Sequence, residues 1–377
     1  MKRGAIQVCL IAAVCAGLLL QPVPVGARAQ GRRPPVVRWE DQVAGDLIRT
    51  YQSGRREQAI AALLDRLAPH GGDTARDALH RMRLWVHYAE KDAPESPRRR
   101  DVETLLILCT DALVTTWSER SLSAPDQNPL WQPLDFLRET VARIDPAGAV
   151  LRQWYLVWEA FRQSEISLQW RGWPEYLKDA LVAFPRDPQM LLAAGSRQEL
   201  EWWAATNPRR LLSDLPSARL PEQRSRLIAA RGFLRRSLEA NPAESESRLR
   251  LARVLLELGD VDGAGEVLAA QRWSGDEAAF EYLARLFEGE IAERRGDTKA
   301  ALAAYDRAIT LVPTPQSAQV AKAYVLQGSD RRADALQAAT EALGGSDTTP
   351  DPWWVYSLGQ AWRLSAYLRG ARALVAR

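Results

Sequence analysis

His70, His80 and His87 are the only imidazoles in the 377-residue chain. His80 and His87 lie two helical turns apart and could share a face, but two ligands seven residues apart do not make a metal site. The sequence holds no HExxH, no GxSxG and no glycine-rich phosphate loop. Paired carboxylates such as Glu244 and Glu246 are common on solvated helices and specify no chemistry. Cys109 closes the apolar run Leu105-Leu106-Ile107-Leu108-Cys109. A reactive thiolate needs an accessible, electropositive setting, so this cysteine reads as a packing residue. The expectation is a chain with no catalytic residue, no metal and no cofactor.

Tryptophan is the other residue type that could act directly. There are 14, seven of them between Trp131 and Trp203. Exposed indoles stack on the C–H faces of sugars, so Trp154, Trp158, Trp170 and Trp173, with Trp202 and Trp203, make a candidate glycan platform. Trp154 and Trp158 are also spaced as a buried helix stripe requires, and the core reading is preferred.

The chain that must position these residues begins with Lys2 and Arg3, an apolar run from Val8 to Leu20 and the small residues of Ala27-Arg28-Ala29. This is the pattern of a secretory signal peptide, residues 1–29, and predicts export to the periplasm or exterior after cleavage near Ala29. Cys9 and Cys15 would leave with it, so Cys109 could form no intramolecular disulfide. No later run is long and apolar enough to span a membrane. Removing Lys2, Arg3 and Arg28 leaves 47 basic against 47 acidic side chains. That balance argues against nucleic acid as a partner, because phosphate binding shows as a basic surplus.

Apolar residues recur at three- and four-residue spacing over Glu57–Leu67, Thr74–Glu90, Val102–Trp117, Ala149–Arg162, Gln223–Ala240 and Glu244–Leu258, with no alternating strand pattern between them. The fold class is all-α. Lys91–Arg100, Ser118–Pro133 and Thr206–Pro221, rich in Pro, Ser and charge, read as connections. Ala230, Ala264, Ala301 and Ala335 sit at equivalent points of four helices, separated by 34, 37 and 34 residues. Such a period is the mark of a helix-turn-helix solenoid.

In the clearest unit Gly289, Gly296, Ala301, Tyr305, Ala308 and Pro313 fall in the order and spacing of the tetratricopeptide repeat (TPR), and the chain resembles that family. The preceding unit keeps Ala252, Gly259, Ala264 and Leu268. Ala230, Leu234, Ser237 and Pro242 fit half a repeat, and the last unit keeps Ala323, Ala335, Ala339 and Ala342 but has Asp330 at the turn glycine. Gly54 with Ala59 and Ile60, and Ala183 before Pro188, look like degenerate repeats. The resemblance implies a right-handed α-solenoid of antiparallel helix pairs. The chain also looks similar to secreted bacterial TPR proteins of unassigned function. After the signal come a flexible linker (30–38), a degenerate helical-pair region (39–206), a connecting loop (207–222), the repeat array (223–343) and a C-terminal capping helix and tail (344–377). The cap is expected from Asp351-Pro352-Trp353-Trp354 through Tyr367, over the last apolar face.

In TPR arrays the first helix of each unit lines a concave groove. The resemblance places Glu246, Arg253, Glu257, Glu290, Glu293, Arg294, Tyr324 and Gln327 there, among Leu249, Leu256, Leu283, Leu286 and Val320. It implies a non-catalytic scaffold that binds a protein or peptide. The Lys/Asn carboxylate clamp of chaperone-binding TPRs is missing, so capture of a free C-terminus is not expected. Glu244-Ser245 is similar to the Glu-Ser pair of lytic transglycosylases, but it falls inside a repeat helix. Glycan binding by the central tryptophans is the alternative.

Overall fold

Four tight turns show how the sequence folds. Gly54, Gly259 and Gly296 take φ of 82°, 87° and 76°, and Asp330 takes 56°. At each, the following N–H bonds back five residues: Arg55 to Thr50, Asp260 to Leu255, Asp297 to Ala292 and Arg331 to Leu326, at 2.9–3.2 Å. This left-handed closure satisfies the last helical carbonyls and turns the chain. Asp260 and Asp297 then cap the next helix through the N–H groups of Gly263 and Ala300. Gly54 thus makes the same turn as the clear repeats, as its spacing predicts.

The computed structural model describes residues 39–67, 79–80, 82–83, 85–86, 97–120, 130–166, 175–206, 220–273, 278–344 and 350–376. Sixteen α-helices and no strand are found among them. They are α1 (Trp39–Gln52), α2 (Arg56–Leu67), α3 (Pro97–Arg120), α4 (Trp131–Ile144), α5 (Ala149–Ile166), α6 (Leu177–Ala183), α7 (Pro188–Thr206) and α8 (Leu220–Ala240). There follow α9 (Ser245–Leu258), α10 (Val261–Ala269), α11 (Ala278–Arg294), α12 (Thr298–Ile309), α13 (Gln316–Gly328), α14 (Arg332–Leu343), α15 (Pro352–Ser357) and α16 (Leu364–Val375). The fold is an α-solenoid of antiparallel helix pairs.

The helix expected over Thr74–Glu90 lies mostly outside the described residues, as do the signal peptide and linker. All three predicted connections are helical at their described ends. α3 begins at Pro97, where a missing N–H costs nothing, and runs on to Arg120.

Helices α3, α5, α7, α9 and α11 touch in series and make an inner row. Small residues set the close approaches. A Cβ on Gly195 of α7 would run into Leu234 of α8, and one on Gly289 of α11 into the ring of Tyr305 on α12. Two large cores result, one built from α1 to α7 and one from α7 to α13. At the last pair only Leu326, Ala335 and Ala338 form a small third cluster.

The C-terminal segment departs from the expected cap. It turns back along the inner row, α15 against α11, the 3-10 turn Ala361–Arg363 against α5, and α16 against α5 and α3. Tyr356 joins the second core, while Tyr367, Leu368, Ala371 and Val375 join the first. The expected single helix breaks at Gly359, whose φ of 66° and missing Cβ let the chain pass the side chain of Gln163.

Candidate partner-binding groove

α9 shows what fills the groove. Its groove face carries Glu246, Arg250 and Arg253 at helical spacing, all nearly fully buried. Arg250 donates to Glu246 and Glu199 at 2.8 Å each, and to the tail carbonyls of Tyr356 and Gly359 at 3.1 and 3.0 Å. Its guanidinium stacks 4.3 Å from the Tyr356 ring. Burial works against this charge, but Glu246 and Glu199 outweigh it and hold its pKa above the ordinary arginine value.

Arg253 donates to Glu199 at 3.1 Å and stacks on Trp353 at 4.5 Å. Glu246 also accepts from Gln360 and from Arg363, the latter at 2.9 Å. The Tyr356 hydroxyl donates to Glu199 at 2.7 Å, and burial first, then the Glu199 charge, push its pKa well up. At the far end Arg372 of α16 and Arg56 of α2 each grip both oxygens of Asp111 on α3, which also accepts from Tyr51. The near end is tied by Asp351, which accepts from Tyr282 at 2.8 Å and from the Ser317 N–H at 2.7 Å. The segment from Asp351 to Arg372 therefore occupies the groove from α13 back to α3.

This divides the residues expected to bind a partner. Glu246 and Arg253 lie beneath the tail with Leu249, so they already hold the chain's own segment and are closed to another protein. Glu257, Glu290 and Glu293 are half-buried, and Arg294, Tyr324 and Gln327 are exposed. Arg294 ties neighbouring units together, bonding Glu290 at 2.6 Å and the Leu256 carbonyl at 2.6 Å, with Glu257 at 3.7 Å. Glu293 accepts from the Tyr305 hydroxyl. Burial raises the pKa of both Glu257 and Glu293, and the Glu290 charge adds to each. Glu293, Tyr324, Gln327 and Ser329 line an open pocket of about 490 Å³.

The tryptophan platform does not form from the residues that can be seen. Trp154 and Trp158 are buried in the first core, stacked at 5.5 Å, and Trp154 donates to Thr110 at 2.8 Å. Trp202 and Trp203 are half-buried, while Trp170 and Trp173 lie outside the described residues. Burial pushes the Cys109 thiol up to about 12, so it stays protonated, as its apolar run predicts. Glu244 and Ser245 lie at the start of α9, and Gln271 donates to the Ser245 hydroxyl at 2.8 Å. No group of three His, Cys, Asp or Glu side chains among the described residues is placed to hold a metal ion. Nor is any described helix long and apolar enough to cross a membrane.

Residues 195–341 match the family model of the tetratricopeptide repeat-like domain. This stretch is a TPR array. The human IFIT1 dimer with m7Gppp-AAAA superposes at a TM-score of 0.33, with 14% identity over 76% of this chain and 70% of that one. The APC/C hetero-tetramer Cut9-Hcn1 gives a TM-score of 0.30 and 16% identity over 88% of this chain and 71% of that one. Likeness at that level does not bear on what this chain binds. No curated protein matches it significantly. The fold provides a helical repeat scaffold for interaction with another macromolecule.

Proposed function

We propose that this chain is an exported, non-catalytic TPR scaffold that binds a protein or peptide partner at the part of its groove left open by its own tail. The observation that carries this reading is the open pocket at Glu293 and Tyr324, directly beyond a groove otherwise filled from Asp351 to Arg372. Its working residues are Glu257, Glu290, Glu293, Arg294, Tyr324 and Gln327. Three carboxylates in that stretch repel a phosphate backbone, which favours protein over RNA. Export rests on the pattern of residues 1–29, and the mature protein would work in the periplasm or outside the cell.

A photoreactive amino acid placed at Gln327, with a control at Arg307 on the outer helix α12, tests the reading in the native host. An adduct with a defined protein from position 327 and none from position 307 is the expected result. Equal adducts from both positions, or none from 327, would refute the groove assignment. Fractionation and N-terminal sequencing test export, which fails if Lys2 and Arg3 are retained on the cytoplasmic protein.

A further inference from the structure

We propose that the open end of the groove docks a partner segment carrying a cationic side chain beside a large apolar one. This rests on the scaffold reading above and adds the chemistry of its partner.

Two features on the surface point the same way. The first is a line of exposed apolar side chains. Trp354 of the tail is 51% exposed and its indole N–H donates to Gln316 of α13 at 3.2 Å. One turn on from Gln316 stands Val320, 55% exposed, and a further turn on stands Tyr324, 71% exposed. Gln316, Val320 and Tyr324 share one helix face, so the line runs about 12 Å. The tail that seals the rest of the groove therefore supplies one end of this strip, which a folded chain would otherwise keep covered.

The second feature is an acidic wall beside it. Glu293 lines the same pocket as Tyr324, and Glu290 and Glu257 stand on the neighbouring inner helices. The cation among them, Arg294, is spent on Glu290, Glu257 and the Leu256 carbonyl. Arg253, the next along the groove, is buried and committed to Glu199. The Glu290 charge raises the cost of ionising both Glu257 and Glu293. A guanidinium or ammonium brought to this wall relieves that repulsion, while its apolar neighbour covers Val320 and Tyr324. An anionic lipid surface or a nucleic acid would bring the wrong charge to the same wall.

The test uses the purified protein and three end-blocked, fluorescein-labelled octapeptides in which Leu alternates with Arg, Glu or Ser, read by fluorescence anisotropy. The Arg peptide is expected to bind at least tenfold more tightly than the other two, with the preference falling as salt rises. Tyr324→Ala should weaken it about tenfold, in line with the loss of one aromatic anchor. Glu290→Lys with Glu293→Lys should abolish it and shift the preference toward the Glu peptide, while circular dichroism stays unchanged. Because Glu290 and Glu293 are half-buried and bonded to Arg294 and Tyr305, Glu290→Gln with Glu293→Gln serves as the milder form, expected to keep the fold and lose the Arg preference alone.

Equal binding of the Arg and Glu peptides, or an Arg preference that survives both double variants, would overturn the proposal. So would self-association of the free protein that Tyr324→Ala removes, which would assign the strip to a second copy. A protein captured at Gln327 that the Arg peptide does not displace overturns the cationic chemistry while leaving the scaffold reading in place.

Discussion

Replacing Arg250 with Met tests whether the tail is built into the fold. The side chain is 2% exposed and makes four hydrogen bonds, two to carboxylates and two to tail carbonyls. Methionine keeps most of the volume, so the loss is electrostatic and not a cavity. Glu246 would keep Gln360 and Arg363, and Glu199 would keep Arg253 and the Tyr356 hydroxyl. The carbonyls of Tyr356 and Gly359 would lose the guanidinium that reaches them. Removing one partner of a buried ion pair costs about 3–5 kcal/mol, and the surviving partners set the expectation at the lower end, about 3 kcal/mol. At roughly 2–4 °C per kcal/mol, the melting temperature should fall by on the order of 10 °C.

The assay is urea and thermal unfolding followed by circular dichroism, with limited proteolysis of the tail read in parallel. Arg250→Met should release the segment from Asp351 onward to protease before the array itself melts. Arg250→Lys keeps the charge but cannot reach four acceptors, and should fall between the two. If Arg250→Met unfolds within about 1 kcal/mol of the wild type and its tail stays protected, the network holds nothing in place and the argument fails.

Asp111 gives the pH dependence. Burial opposes its charge, but Arg372 and Arg56 outweigh burial and lower its pKa. A carboxylate with a depressed folded pKa contributes stability above its unfolded value, about 3.9, and loses it as pH falls through the folded value. Urea midpoints should therefore drop steeply below about pH 4, and Asp111→Asn should be less stable at neutral pH and flatter in acid. Gly289→Ala would drive a methyl into the Tyr305 ring and should cost about 1–3 kcal/mol in chemical denaturation, recovered in part by adding Tyr305→Leu. Asp330→Gly should raise stability by about 0.5–1 kcal/mol, because glycine takes the left-handed turn that aspartate holds at φ 56°. A loss of stability there would mean that the Asp330 side chain contributes more than its backbone costs.

The parts of this fold that were legible are those set by local rules. A left-handed turn needs Gly, a helix start favours Asp, and a close helix pair needs a small residue, so Gly259-Asp260, Gly296-Asp297 and Gly289 announce themselves in one dimension. Even Gly54, in a unit whose other positions have drifted, keeps its turn. Trp154 and Trp158 were ambiguous for a physical reason: a four-residue aromatic spacing marks a helix face without saying what covers it.

The path of the C-terminal segment was not legible, because the contacts that fix it have no period. Arg372 meets Asp111 across 261 positions and Gln360 meets Gln163 across 197. Each partner alone is an ordinary charged or polar residue on a helix, and charge balance over the whole chain hides which pairs are buried. A signal did exist in the aromatic content of the last stretch. Trp353, Trp354, Tyr356, Trp362 and Tyr367 fall within fifteen residues, and the inner row buries Tyr356 and Tyr367 and half-buries Trp353. Glu246, Arg250 and Arg253 on one helix face were the complementary half. A groove face that carries both signs of charge at core-like spacing is as well suited to a segment of the same chain as to a partner. Along the described groove, Val320, Tyr324 and Gln327 remain exposed beyond the end of the chain's own tail.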